Sequence, residues 1–164
     1  MKMNDLKKLF EKMGFSNVST FIASGNVIFN SASKNRKALE KKIEDSLEKG
    51  LGYPVATFVR TTEEVARVLE QSPFKNFESE EKLPALFIGF VADPPENELG
   101  KKLKALSTKT DELLVQGSEI YWLCHPKLSD SKLSYAVMEK VLGVKATFRN
   151  CTTVRRIALL CNAG

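Results

Sequence analysis

The sequence predicts an α+β protein of two ferredoxin-like (split βαβ) subdomains, the first lacking its N-terminal strand. Three observations carry that expectation. Residues 84–164 alternate between strand and helix periodicity in the order β-α-β-β-α-β, followed by a final helix. Residues 1–73 repeat the order from its second element, α-β-β-α-β, and add a connecting helix. Between them residues 74–83 are polar, acidic and aperiodic, the composition of a linker.

The elements follow in turn. Asn4 is placed to cap a helix whose Leu6, Leu9, Phe10 and Met13 share a stripe, and Gly14 ends it. Strands Val18–Ala23 and Asn26–Phe29 join through Ser24 and Gly25, where a tight turn needs glycine. A second helix spans about Asn35 to Lys49 with Leu39, Ile43 and Leu47 inward, broken by Gly50 and Gly52. Val55–Arg60 reads as a strand. Thr61 and Glu64 form a capping box for a helix that buries Val65, Val68 and Leu69.

In the second half, Pro84–Val91 is a continuous apolar run, the mark of a central strand. Asp93 to Glu96 start a helix with Leu99, Leu103 and Leu106 inside. Glu112–Val115 and Glu119–Cys124 form a hairpin through Gln116, Gly117 and Ser118. Asp130 or Ser131 caps a helix carrying Leu133, Ala136, Val137 and Val141, and Gly143 stops it. Val144, Ala146 and Phe148 then alternate with Lys145, Thr147 and Arg149, as in a half-buried strand. Thr152 or Thr153 caps a closing helix with Val154, Ile157, Ala158 and Cys161 on one side.

Composition narrows the function classes. At 164 residues, 43% hydrophobic and 27% charged, the chain can bury a core of its own. No apolar run reaches the roughly 20 residues that span a bilayer, and the N-terminus lacks a signal-peptide pattern, so no membrane partner and a cytoplasmic location are expected. Three cysteines without a C-x-x-C pair, and a single histidine, indicate neither a disulfide framework nor a metal site. His125 follows Cys124, and neighbours on a strand face opposite ways, so these two alone make no catalytic pair. The net charge of +5 makes the chain basic and suits a nucleic acid or small anion, although most lysines accompany glutamates on helix faces.

The chain resembles the bacterial family catalogued as domain of unknown function 1697. The matching pieces are Lys2-Met3 with Asp5-Leu6, the run Phe21 to Phe29 (FIASGNVIF), and Val59-Arg60-Thr61. Further on come Ser131-Lys132-Leu133, Leu142-Gly143, Ala146 to Asn150 (ATFRN), and Thr153-Val154. The resemblance implies two ferredoxin-like subdomains and supplies no activity or cofactor. Members begin with an apolar strand and a glycine-rich turn before the segment matched by Lys2-Met3, and neither is found here. They also place tryptophan where Cys151 stands.

The candidate ligand-binding residues are Ser24, Gly25, Asn26, Arg60, Lys132, Arg149 and Asn150. Ser24-Gly25-Asn26 offers a hydroxyl, an amide and exposed backbone at a turn, although the same residues are ordinary turn formers. Arg149-Asn150 ends a strand just before a helix start, where free N–H groups and a guanidinium suit an anion. The competing reading makes Asn150 a plain cap. Lys132 near a helix start opposes the helix dipole, and Arg60 lies at another strand end. The leading expectation is a non-enzymatic binder of an anionic ligand or nucleic acid near Arg149-Asn150. The alternatives are an enzyme whose site between the subdomains uses Ser24, Asn26, Arg60 and Arg149, and a protein–protein module. The last would form homo-oligomers through the edge that the absent strand leaves.

Overall fold

The computed structural model describes residues 3–21, 25–74, 85–108, 111–124 and 133–163. The protein is α+β, and the chain divides into two units, 1–60 and 61–164. The first unit contains α1 (Met3–Lys12), β1 (Ser16–Phe21), β2 (Asn26–Asn30) and α2 (Arg36–Leu51). Its core is Phe10, Phe15, Val18, Leu39, Ile43 and Leu47, against which Leu6, Leu9, Val27 and Phe29 pack. Helix α1 already begins at Met3, so Asn4 lies in its first turn rather than capping it. Asn35 caps α2, accepting from the Ala38 N–H at 3.1 Å.

Helix α2 runs through Gly50 and stops at Gly52, whose φ of 82° closes the left-handed cap. Gly50 is explained by close approach instead. A Cβ there would stand 3.2 Å from Leu9 Cδ1 on α1.

The expected strand at Val55–Arg60 does not join a sheet among the described residues, because β1 and β2 pair only with each other. In the split βαβ order this segment would pair with the unit's opening strand. Its backbone finds other acceptors. The Thr57 N–H donates to Glu44 Oε1 at 3.3 Å and the Val59 N–H to Glu40 Oε2 at 2.9 Å. Glu40 is buried, and this N–H meets part of the hydrogen bonding that a buried carboxylate needs.

The second unit opens with α3 (Thr62–Glu70), and its capping box forms: Glu64 N–H to Thr61 Oγ1 at 3.1 Å, Thr61 N–H to Glu64 Oε1 at 2.9 Å. Helix α3 groups with residues 61–164 and not with the residues before it. Non-local bonds account for this. The last carbonyls of a helix lack intrahelical donors, and the Tyr121 hydroxyl donates to one of them, Val68 C=O, at 2.8 Å. Gln116 Nε2 reaches the Gln71 carbonyl just beyond, at 2.9 Å.

The remaining elements are β3 (Ala85–Phe90), α4 (Asn97–Lys104), β4 (Asp111–Gln116), β5 (Glu119–Cys124), α5 (Tyr135–Leu142), β6 (Thr147–Asn150) and α6 (Cys151–Ala163). Their antiparallel sheet has the order β4-β5-β3-β6, with the apolar β3 central as its composition demands. This is the strand order of a split βαβ unit. Leu113, Ile120, Trp122 and Phe148 face one core together with Leu103, Met138 and Leu142. Tyr121 and Ile88 are also buried, and alternation places them on the other face, where α6 packs on β3 and α3 on α6. Both aromatic neighbours, Tyr121 and Trp122, are therefore core.

Two boundaries differ from expectation in the stretch that carries the candidate site. Helix α5 is capped by Ser134, whose Oγ accepts from the Val137 N–H at 3.2 Å; Asp130 and Ser131 lie outside the described residues. The later start turns Met138 and Leu142 inward and leaves Ala136 and Val137 exposed. Strand β6 is shorter than the alternation suggested, and Val144 is exposed before it.

Candidate functional site

Strand β6 is the last in its sheet, and it carries Arg149 and Asn150. Asn150 is both the strand's final residue and the cap of α6. Its Oδ1 accepts from the N–H groups of Thr152 at 2.9 Å and Thr153 at 3.3 Å. The cap is therefore Asn150, not Thr152 or Thr153, since the helix starts one residue earlier at Cys151. Two of the helix's first amide donors are thus engaged by its own chain.

Arg149 is half-buried. Its Nη1 donates to Thr147 Oγ1 at 2.6 Å and to the Phe148 carbonyl at 2.9 Å. Thr147 and Arg149 share a face because they are two apart on a strand. A hydroxyl and a carbonyl orient the guanidinium. Burial lowers the Arg149 pKa, and the Tyr135 phenol acts in the opposite sense. Burial likewise raises the Tyr135 pKa, with Arg149 pulling it back.

Tyr135, the first residue of α5, lies flat on Phe148, with ring centroids 4.7 Å apart and planes 5° from parallel. Trp122 and Phe87 meet it edge-on at 5.9 and 6.4 Å. Phe148 can lie this close to the sheet because Gly89 is its partner on β3; a Cβ at Gly89 would stand 2.5 Å from Phe148 Cε1. In the sequence Tyr135 is marked only as an aromatic at the first helical position after a serine cap.

The other candidates lie elsewhere. Gly25 takes φ 87° in the β1–β2 turn, and Asn26 Nδ2 donates to the Phe21 carbonyl at 3.0 Å across its mouth. Arg60 Nη1 bonds the Val59 carbonyl at 2.9 Å. These belong to the first unit, whereas Arg149 and Asn150 belong to the second. Ser24, Lys132 and His125 lie outside the described residues.

Among the described residues no group of three or more His, Cys, Asp or Glu is placed to hold a metal ion. The Cys151 thiol is pushed up by burial, with Arg155 opposing, which disfavours the reactive thiolate. Among the described residues no helix is long and apolar enough to cross a membrane.

The fold defines an α+β protein whose strand β6 carries a half-buried arginine on one face and a stacked aromatic pair, Phe148 and Tyr135, on the other. The chain belongs to the family described as protein of unknown function (DUF1697), whose model matches residues 1–121. Among solved structures it is similar to the conserved bacterial protein SP0830 from Streptococcus pneumoniae, at 21% identity and TM-score 0.73, covering 99% of this chain and 89% of that one. That likeness concerns the fold. The search of curated proteins found no match.

Proposed function

We propose that the protein is a binding module for an anionic ligand, a small anion or a nucleic acid, centred on Arg149. The observation that supports this reading is a half-buried guanidinium oriented by the neutral oxygens of Thr147 and Phe148. Burial disfavours the charged form of Arg149, and an anion offers a guanidinium charge-assisted hydrogen bonds that favour that form. Binding of a single-stranded oligonucleotide is measured from low to moderate salt. Arg149→Ala is expected to weaken it about tenfold and to reduce the salt slope by about one. Unchanged affinity and slope in Arg149→Ala reject the reading.

A second reading, association through a sheet edge, is favoured by a different observation. In the second unit β3 stands between β5 and β6. At the corresponding place in the first unit, β2 and Val55–Val59 have no described strand between them. An open edge of this kind pairs with another chain. The expected outcome is a dimer mass by light scattering at micromolar protein. A monomer mass up to the highest soluble concentration ends this reading.

A further inference from the structure

We infer that the outer surface of α4 and α5 docks the phosphate backbone of a nucleic acid, held by Lys101, Lys102 and Lys104 with Lys140 beside them. The inference shares the nucleic-acid side of the reading above but not its arginine. Both helices cover the core that Phe148 enters, and alternation along β6 sends Arg149 to the opposite face of the sheet. Helical geometry fixes which way the lysines point. Leu103 is buried on the core side, and a Cβ on Gly100 would stand 3.9 Å from Val115 Cβ on β4. At about 100° per residue, Lys101 then lies away from Leu103, with Lys102 and Lys104 on the two flanks. All three are exposed. Helix α5 packs on α4 and buries Met138, so Lys140, exposed two residues further on, also points outward. Helix positions three apart stand about 5–6 Å from each other, and packed helices about 8–10 Å, so the four ammonium groups share one surface.

Their charge is not spent within the protein. Among the described residues none of the four lysines joins an ion pair, and Glu98 is the one acid within α4. Glu139, next to Lys140, is turned to the Ala146 N–H at 3.3 Å. In α2, by contrast, acids are interspersed with lysines, and Lys41 meets Asp45 at 3.3 Å. The dipole of α4 favours cations at its C-terminus, which admits the lysines there without neutralising them. A nucleic-acid strand brings a phosphate about every 3.4 Å and so meets several of these lysines at once. A lipid surface fits less well, because α4 turns its buried Leu103 to the core and keeps no apolar face to insert.

The test titrates a fluorescent oligothymidylate at rising salt. Lys101→Gln, Lys102→Gln and Lys104→Gln together are expected to weaken binding about tenfold or more at low salt and to lower the salt slope by about two. Lys7→Gln, Lys8→Gln and Lys12→Gln on α1 make the same change in net charge at exposed positions and are expected to cost less than about threefold. In the unmodified protein the backbone amide signals of Lys101, Lys102, Lys104 and Lys140 shift as oligonucleotide is added, a readout independent of how the variants fold. Equal losses in the two triple variants, or shifts that bypass α4 and α5, overturn the inference. A loss in the α4 variant with Arg149→Ala unchanged upholds this surface and ends the Arg149 reading, and a loss in Arg149→Ala alone does the reverse. Absence of binding at low salt removes nucleic acid from both. Tighter binding of phosphatidylserine vesicles than of the oligonucleotide, lost in the α4 variant, assigns the surface to lipid and overturns the inference.

Discussion

Replacing Trp122 with phenylalanine is expected to lower the unfolding free energy by about 2–4 kcal/mol, read from urea denaturation. Trp122 is fully buried, and its indole Nε1 donates to Asp111 Oδ1 at 2.9 Å. Asp111 is itself only 2% exposed. Phenylalanine removes the donor from a buried carboxylate and leaves unfilled volume beside Leu113, Ile120 and Met138. Losing a hydrogen bond to a charged group outweighs losing a neutral one, because the ion has been withdrawn from water. Asp111→Asn keeps an oxygen acceptor for the indole and is expected to cost less. A Trp122→Phe loss below about 0.5 kcal/mol, within the range of ordinary surface changes, contradicts this account.

The stabilising effect of the Tyr121 hydroxyl is expected to vanish between pH 10 and 12. Its pKa is raised from 10.0 to about 12, first by burial, then by the Glu119 carboxylate. The folded state holds the neutral phenol, which donates to the Val68 carbonyl, while the unfolded chain ionises near 10. A raised folded pKa contributes stability in full below the unfolded value and loses it as pH climbs through the folded one. Two pKa units correspond to a contribution on the order of 2–3 kcal/mol. General charge repulsion also grows in alkali, so Tyr121→Phe serves as reference. Native protein should exceed the variant in stability at pH 9, with the gap closing by pH 12. A gap that stays constant over that span refutes the assignment.

How much of this was legible beforehand follows the range of the interactions involved. The Thr61–Glu64 capping box and the Gly143 stop are readable because each acts within one helical turn. The apolar run at Ala85–Phe90 announced a strand covered on both faces, and it became the centre of the sheet. Arg149 and Asn150 were singled out together, but their functions separate. Asn150 engages two amides of α6, whereas Arg149 faces Thr147. Which of three nearby polar residues caps α6 depended on where the strand gave way to the helix.

The amino-acid order by itself determined the α+β class and most of the succession of elements, since periodicity and capping act between near neighbours. The tertiary structure alone decided three things. Among the described residues it kept Val55–Arg60 out of a ladder, because a strand exists only where another backbone answers it. It drew α3 into the second unit through a hydrogen bond between residues 53 apart in sequence. And it set Tyr135 flat on Phe148, a stack between two elements that no local pattern records.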